Sequence, residues 1–186
     1  MTDNPMRPRQ PIAFSQRVPE GDSLLRQVCE TCGFVNYVNP KIVVGSVVHV
    51  DERILLCRRA IEPRYGYWTL PAGYLEEHET AEEGAVREAR EEACAEITIE
   101  GLLAVYSVPR ISQVQLIYRA RLANPSFGAG PESLEVALVP YAEIPWDSLA
   151  FPSVSWALKH HARVRDRASW AAFGNPPSTD EPGGGL

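Results

Sequence analysis

Apolar positions alternate with polar ones at two distinct periods along this chain. From Lys41 to Val50 the residues are mostly β-branched, and Arg53 to Arg59 continue in the same manner after Asp51-Glu52, so the two runs predict a hairpin. A short strand is expected from Tyr67 to Leu70, ending at Pro71. Two longer strands are expected over Ile97–Val108 and Gln113–Leu122, with Pro109 and Ser112 at the turn between them. Leu134–Val139 reads as a further strand after the Gly/Pro-rich stretch Asn124–Pro131. Helical spacing appears from Thr80 to about Ala95, and again from Ser153 to about Ala172, where Val154, Ala157, Leu158, His161 and Val164 share one side. Strands in runs with two long helices do not make a doubly wound sheet. They predict an α+β or α/β/α sandwich around a mixed sheet.

Composition bounds this picture. The chain has 186 residues, 45% of them hydrophobic, enough for one domain with a proper core. No stretch reaches the roughly 20 apolar residues of a membrane span. The Pro- and Arg-containing start, Met1 to Pro11, has no apolar signal segment, so the expected location is the cytoplasm. Residues 1–12 and 174–186 read as flexible tails with little to bury. The net charge of −6 disfavours a general nucleic-acid binder. Four cysteines, with only Cys29 and Cys32 close together, argue against a disulfide framework.

The charge is concentrated in one place. Glu79 to Glu96 hold seven Glu and two Arg. Thr80 and Glu83 form the signature of a capping box, and Glu82 and Glu83 suit the helix dipole. Glu88, Glu91 and Glu92 then fall on one helix face and repel one another. Arg87 and Arg90 offset part of that repulsion. On spacing alone the cluster reads first as a solvated charged face. The alternative is a site for a hard cation, which takes carboxylate oxygens together with phosphate and water. Ala81, Ala85, Ala89 and Ala93 recur every four residues and predict close packing of the opposite face.

The preceding loop shifts the balance toward the cation site. Gly73, Glu79, Arg87, Glu88, Glu91 and Glu92, with Ala89 at the apolar position, stand in the register of the Nudix box. The motif's closing glycine is Cys94 here. The resemblance runs from about Cys29 to Leu158, through Cys29-Glu30-Thr31-Cys32-Gly33, Asn39-Pro40-Lys41, Ile54 to Arg59, and Trp68 to Gly73. It is similar to Nudix hydrolases with a small zinc-ribbon-like leader, including members that act on ADP-ribose or FAD.

The resemblance implies a Nudix α/β/α sandwich over 39–173, a degenerate ribbon-like leader over 13–38, and a loop-helix-loop catalytic motif. It implies a hydrolase that uses Mg²⁺ or Mn²⁺ to cleave the diphosphate of a nucleoside diphosphate derivative and release a nucleoside monophosphate. Glu88, Glu92 and the carbonyl of Ala72 would bind metal, and Glu91 would bind metal or a metal water. Arg87 and Glu79 would pair and hold the helix, with Gly73 as the structural glycine. The base would be Glu88 or a later acid, for which Glu132 and Glu135 are the candidates. Cys29 and Cys32 are candidate zinc ligands, although the second Cys pair of the look-alikes is replaced by Ile12-Ala13-Phe14-Ser15-Gln16. A homodimer is the expected assembly. Pro109 suggests an ADP-ribose-type substrate, and the run that marks NADH pyrophosphatases is missing. A Nudix-fold sensor that binds a nucleotide without cleaving it is the alternative; such proteins usually lose the box carboxylates.

Overall fold

The computed structural model describes residues 12–177, and the expected tails otherwise lie outside the described residues. The chain divides into two compact units, 1–39 and 40–186. Within the first, β1 (Phe14–Arg17), β2 (Arg26–Cys29) and β3 (Val35–Asn36) form an antiparallel sheet in that order. The alternation pattern gave no warning of these strands, because they are short and bury only Val28 and Cys29.

The second unit is built on a mixed sheet. Its strands are β4 (Lys41–Val50), β5 (Arg53–Arg59), β6 (Trp68–Thr69), β7 (Ala72–Tyr74), β8 (Ile97–Val108), β9 (Gln113–Leu122) and β10 (Ser133–Pro140). The main order is β10-β5-β4-β9-β8, with β6 on β5 and β7 on β4. Only β4 and β9 run parallel, in register from Lys41 opposite Gln113 to His49 opposite Arg121. Such a pair requires a crossover, and the chain places β5 to β8 and one long helix within it.

Helix α1 (Ala81–Ala93) covers one face and α2 (Pro152–Val164) the other. Adjacent residues on one strand part to opposite sides, as the strand period of two demands. Val47, Ile54 and Leu56 join the α2 side with Leu103, Ala157 and Leu158. Val48, Leu55 and Cys57 join the α1 side with Ala89 and Ala93. Burial on both faces explains the near-continuous apolar run of β5. Ala85, Ala89 and Ala93 are fully buried, so the alanine stripe is what lets α1 lie close to the sheet. Among the described residues no helix is long and apolar enough to cross a membrane.

Helix α2 stops at Val164, not near Ala172. The cause is distant in sequence. Arg119 of β9 donates from Nη1 to the Val164 carbonyl (2.8 Å) and from Nη2 to the Arg165 carbonyl (3.1 Å), capping the helix end. The chain then follows the sheet edge. Trp170 Nε1 donates to the Leu102 carbonyl (2.9 Å), and Phe173 exchanges backbone bonds with Leu103 and Val105 (both 2.9 Å). Asn175 continues this path, its side-chain amide bonded in both directions to the Ser107 backbone (2.8 Å each).

The α2 side also buries His161, whose Nδ1 has no partner. Burial, with the nearby Arg119 and Arg165 cations, pushes its pKa down to about 4. In the unfolded chain the ring titrates near its ordinary value of about 6.5. Between these values the unfolded state takes up a proton that the folded state excludes, so stability falls as pH drops from about 6.5 to 4. His161 should contribute up to about 3 kcal/mol to that loss. Urea titrations at pH 7 and at pH 4.5 should show a smaller difference in His161→Gln than in the parent; equal differences would refute this source of acid sensitivity.

Candidate active site

The site is assembled from β7, the loop behind it, α1 and the loop before β10. Helix α1 begins at the expected cap: Thr80 Oγ1 accepts from the Glu83 amide (3.2 Å), and the Glu83 carboxylate accepts from the Thr80 amide (2.8 Å). Arg87 then uses all five of its N–H groups. Nε and Nη2 donate to the two oxygens of Glu79 (3.0 and 2.8 Å), and Nη2 also donates to the Tyr74 carbonyl (2.9 Å). Nη1 donates to Glu88 (2.7 Å) and Glu91 (3.0 Å). One guanidinium therefore ties the loop to the helix and balances two of the clustered carboxylates. The Arg87 ion pair, with the Glu76 amide, holds the Glu79 carboxyl down at about 2.

Glu88 and Glu92 lie on the inner side of this arrangement and are 7% and 6% exposed, which removes the solvated-face reading for them. The Glu88 carboxylate rests on Gly73, where any β-carbon would overlap it. A side chain at 73 would displace the Glu88 carboxylate from its place against β7, and the motif glycine leaves that place open. Glu92 accepts from the Ala72 amide (3.1 Å). Burial raises the Glu88 pKa against the opposing pull of Arg87. Burial raises Glu92 to about 7, with repulsion from Glu88 and Glu132 acting in the same direction. Glu91 shares the helix face but is exposed.

All four acids, Glu88, Glu91, Glu92 and Glu132, line one cleft of about 1260 Å³, together with Ala72 and Gly73. Glu135 lies outside it, exposed beside Arg58 (3.7 Å). The cleft also receives Arg59, whose guanidinium lies over Phe151 (5.2 Å), and Arg110, Trp156 and Asn175. Arg59 closes the matching run Ile54–Arg59 but had no site role assigned to it, and Asn175 sits in the stretch read as a tail. Both reach the site through tertiary packing.

The donor set fits a hard divalent cation. It is all oxygen, it is partly buried, and its mutual repulsion is the kind a cation relieves. Among the described residues no three metal-ligating side chains yet converge on one point, because Glu88 turns to Arg87 and Glu92 to the Ala72 amide. Zinc is a different case. Cys29 is buried and Cys32 exposed, in a turn closed by the Gly33 amide donating to the Cys29 carbonyl (3.0 Å). A closed structural site needs four ligands. Two thiols without a third ligand among the described residues do not fit one.

The departure at Cys94 also resolves. Cys94 takes the left-handed conformation with φ 47°, and its amide donates to the Arg90 carbonyl (3.0 Å) while the Ala95 amide reaches Ala89 (3.1 Å). The helix ends as a glycine would end it, with a β-carbon in a disfavoured region. Cys94→Gly should therefore raise stability by about 1 kcal/mol. Chemical denaturation would measure this, and an unchanged or lower midpoint would show that the Cys94 side chain offsets the strain.

The chain matches the NUDIX domain over residues 39–159 and the Nudix N-terminal family, a zinc-ribbon type, over 12–38. It is 29% identical over 138 residues to an ADP-ribose pyrophosphatase of Methanocaldococcus jannaschii, covering 72% of this chain and 76% of that protein. A MutT-like protein of Streptomyces ambofaciens is 38% identical over 97 residues, covering 52% and 59%. The crystal structure of a NUDIX hydrolase from Nitrosomonas europaea superposes with a TM-score of 0.82 at 45% identity, covering 87% of this chain and 92% of that one. With the NUDIX domain matched over 39–159 and a fold shared at 45% identity, the chain that carries this buried carboxylate helix belongs to the Nudix hydrolase family.

Proposed function

We propose that this enzyme hydrolyses the diphosphate of a nucleoside diphosphate joined to a second moiety, with ADP-ribose first and FAD second among the substrates. The observation that carries the reading is the pair of buried acids, Glu88 and Glu92, in a cleft that Glu132 also lines. The similarity to an ADP-ribose pyrophosphatase supports the choice of substrate. Mg²⁺ or Mn²⁺, held by Glu88, Glu92, Glu91 and the Ala72 carbonyl, would neutralise the diphosphate and acidify a water.

The protein's own groups do the rest. Arg87 and Glu79 keep the helix seated on its loop, so the carboxylates stay in register with β7. Arg59 and Arg110, which line the same cleft, offer positive charge to phosphate oxygens. Glu132 takes the proton from the attacking water. The water oxygen bonds to phosphorus, the bridging P–O bond breaks, and a nucleoside monophosphate leaves with the phosphorylated remainder. Glu132 suits the base role better than Glu88, because Glu88 is already bonded to Arg87 (2.7 Å).

A panel of ADP-ribose, FAD and NADH assayed with Mg²⁺ and with Mn²⁺ tests the reading. ADP-ribose should turn over best, and chelation should abolish turnover. Glu132→Gln should lower kcat by about 10²-fold. If no diphosphate turns over with either metal, the hydrolase reading fails, and ADP-ribose binding without turnover would favour a sensor.

A further inference from the structure

The loop 124–131 docks on the end of the carboxylate helix. A helix leaves its last carbonyls without intrahelical partners. Here the Gly128 amide donates to the Ala93 carbonyl (2.8 Å), and the Gly130 amide donates to the Glu92 carbonyl (3.1 Å). At Gly130 the two backbones are in such close contact that any β-carbon would overlap the Glu91 carbonyl oxygen. Gly130 thus touches the backbone of two residues whose carboxylates line the cleft.

Glu132 follows two residues later, and its backbone is held as well. The Ser133 amide donates to the Gly130 carbonyl (3.0 Å), and the Ala60 amide, at the end of β5, donates to the Glu132 carbonyl (2.8 Å). The segment 130–133 is thereby fixed to the helix on one side and to the sheet on the other. Glu132 is near enough to Glu88 and Glu92 to repel both.

We propose that Gly130 is a positioning residue for catalysis, which sets the place of the Glu132 carboxylate by locking its loop to the helix turn that carries Glu91 and Glu92. This rests on the diphosphate-hydrolase reading above. The glycine is needed for contact, since larger residues would lift the loop and move Glu132 with it. Misplacement of a reacting group by about 1 Å can cost about 10²-fold in rate. Gly128 provides the contrast: a β-carbon there would meet nothing within 4 Å, and an alanine keeps the amide.

The test is steady-state kinetics on the turned-over diphosphate for Gly130→Ala, Gly128→Ala, Glu132→Gln and the Gly130→Ala/Glu132→Gln double variant, each checked for folding by circular dichroism. Gly130→Ala should lose between about 10- and 10²-fold in kcat with KM within about twofold of the parent. Gly128→Ala should match the parent. The double variant should be no slower than Glu132→Gln, because both changes remove one function. Full kcat in Gly130→Ala, or losses that multiply in the double variant, would overturn the proposal. Should Gly130→Ala not fold, Glu132→Asp decides. It keeps the charge but draws the carboxylate back by one methylene, so it should fall to within a few-fold of Glu132→Gln, and parental kcat would overturn the proposal. An inactive parent overturns the hydrolase reading and this inference together; an active parent with an unimpaired Gly130→Ala overturns only the latter.

Discussion

Two carboxylates of like charge, Glu88 and Glu92, are buried one helical turn apart against the bare backbone of β7. Burying an unneutralised charge is costly, and a second one beside it compounds the cost. The surrounding structure is arranged around that constraint. Arg87 supplies the compensating charge for Glu88, and the Ala72 amide supplies a donor for Glu92. The raised proton affinities of both acids are the residue of strain that these partners do not cancel. A divalent cation held in the cleft, as proposed above, would relieve the same strain and so couple the stability of the helix to occupation of the cleft.

Holding the acids in place demands a rigid helix, and the fold provides it at both ends and along one side. The capping box and the Arg87–Glu79 pair secure the start. The alanine stripe, with Ala85, Ala89 and Ala93 fully buried, seats the inner face against the sheet. At the far end the left-handed Cys94 and the docked loop 124–131 receive the terminal carbonyls. The helix is therefore fixed by local chemistry at its first turn and by long-range contacts at its last.

The contrast with the 12–38 unit is instructive. It matches a zinc-ribbon family, yet the chain keeps only one of the two cysteine pairs such a site uses. The unit exposes Phe14 at the start of β1 and Leu24, Leu25, Phe34 and Val38 in the segments around its strands. A unit this small has little interior, so its strands leave almost no hydrophobic periodicity to read. In the larger unit most strands and the start of α1 were legible, because burial on one or both faces imposes a period on the residue pattern.

What the sequence by itself determined was the local chemistry. The Glu and Arg spacing, the cap at Thr80, the glycine at 73 and the strand pattern are all set within a few residues, where covalent geometry fixes which side chains share a face. The tertiary structure alone decided the rest. It ended α2 at Val164 through Arg119, placed Glu132 in the cleft and Glu135 outside it, and brought Arg59 and Asn175 to the walls. Glu132 and Glu135 are three residues apart in similar surroundings of sequence. Only the docking of Gly130 on the helix end and the pairing of Glu135 with Arg58 across β10 and β5 separate them, and neither contact is local in the chain.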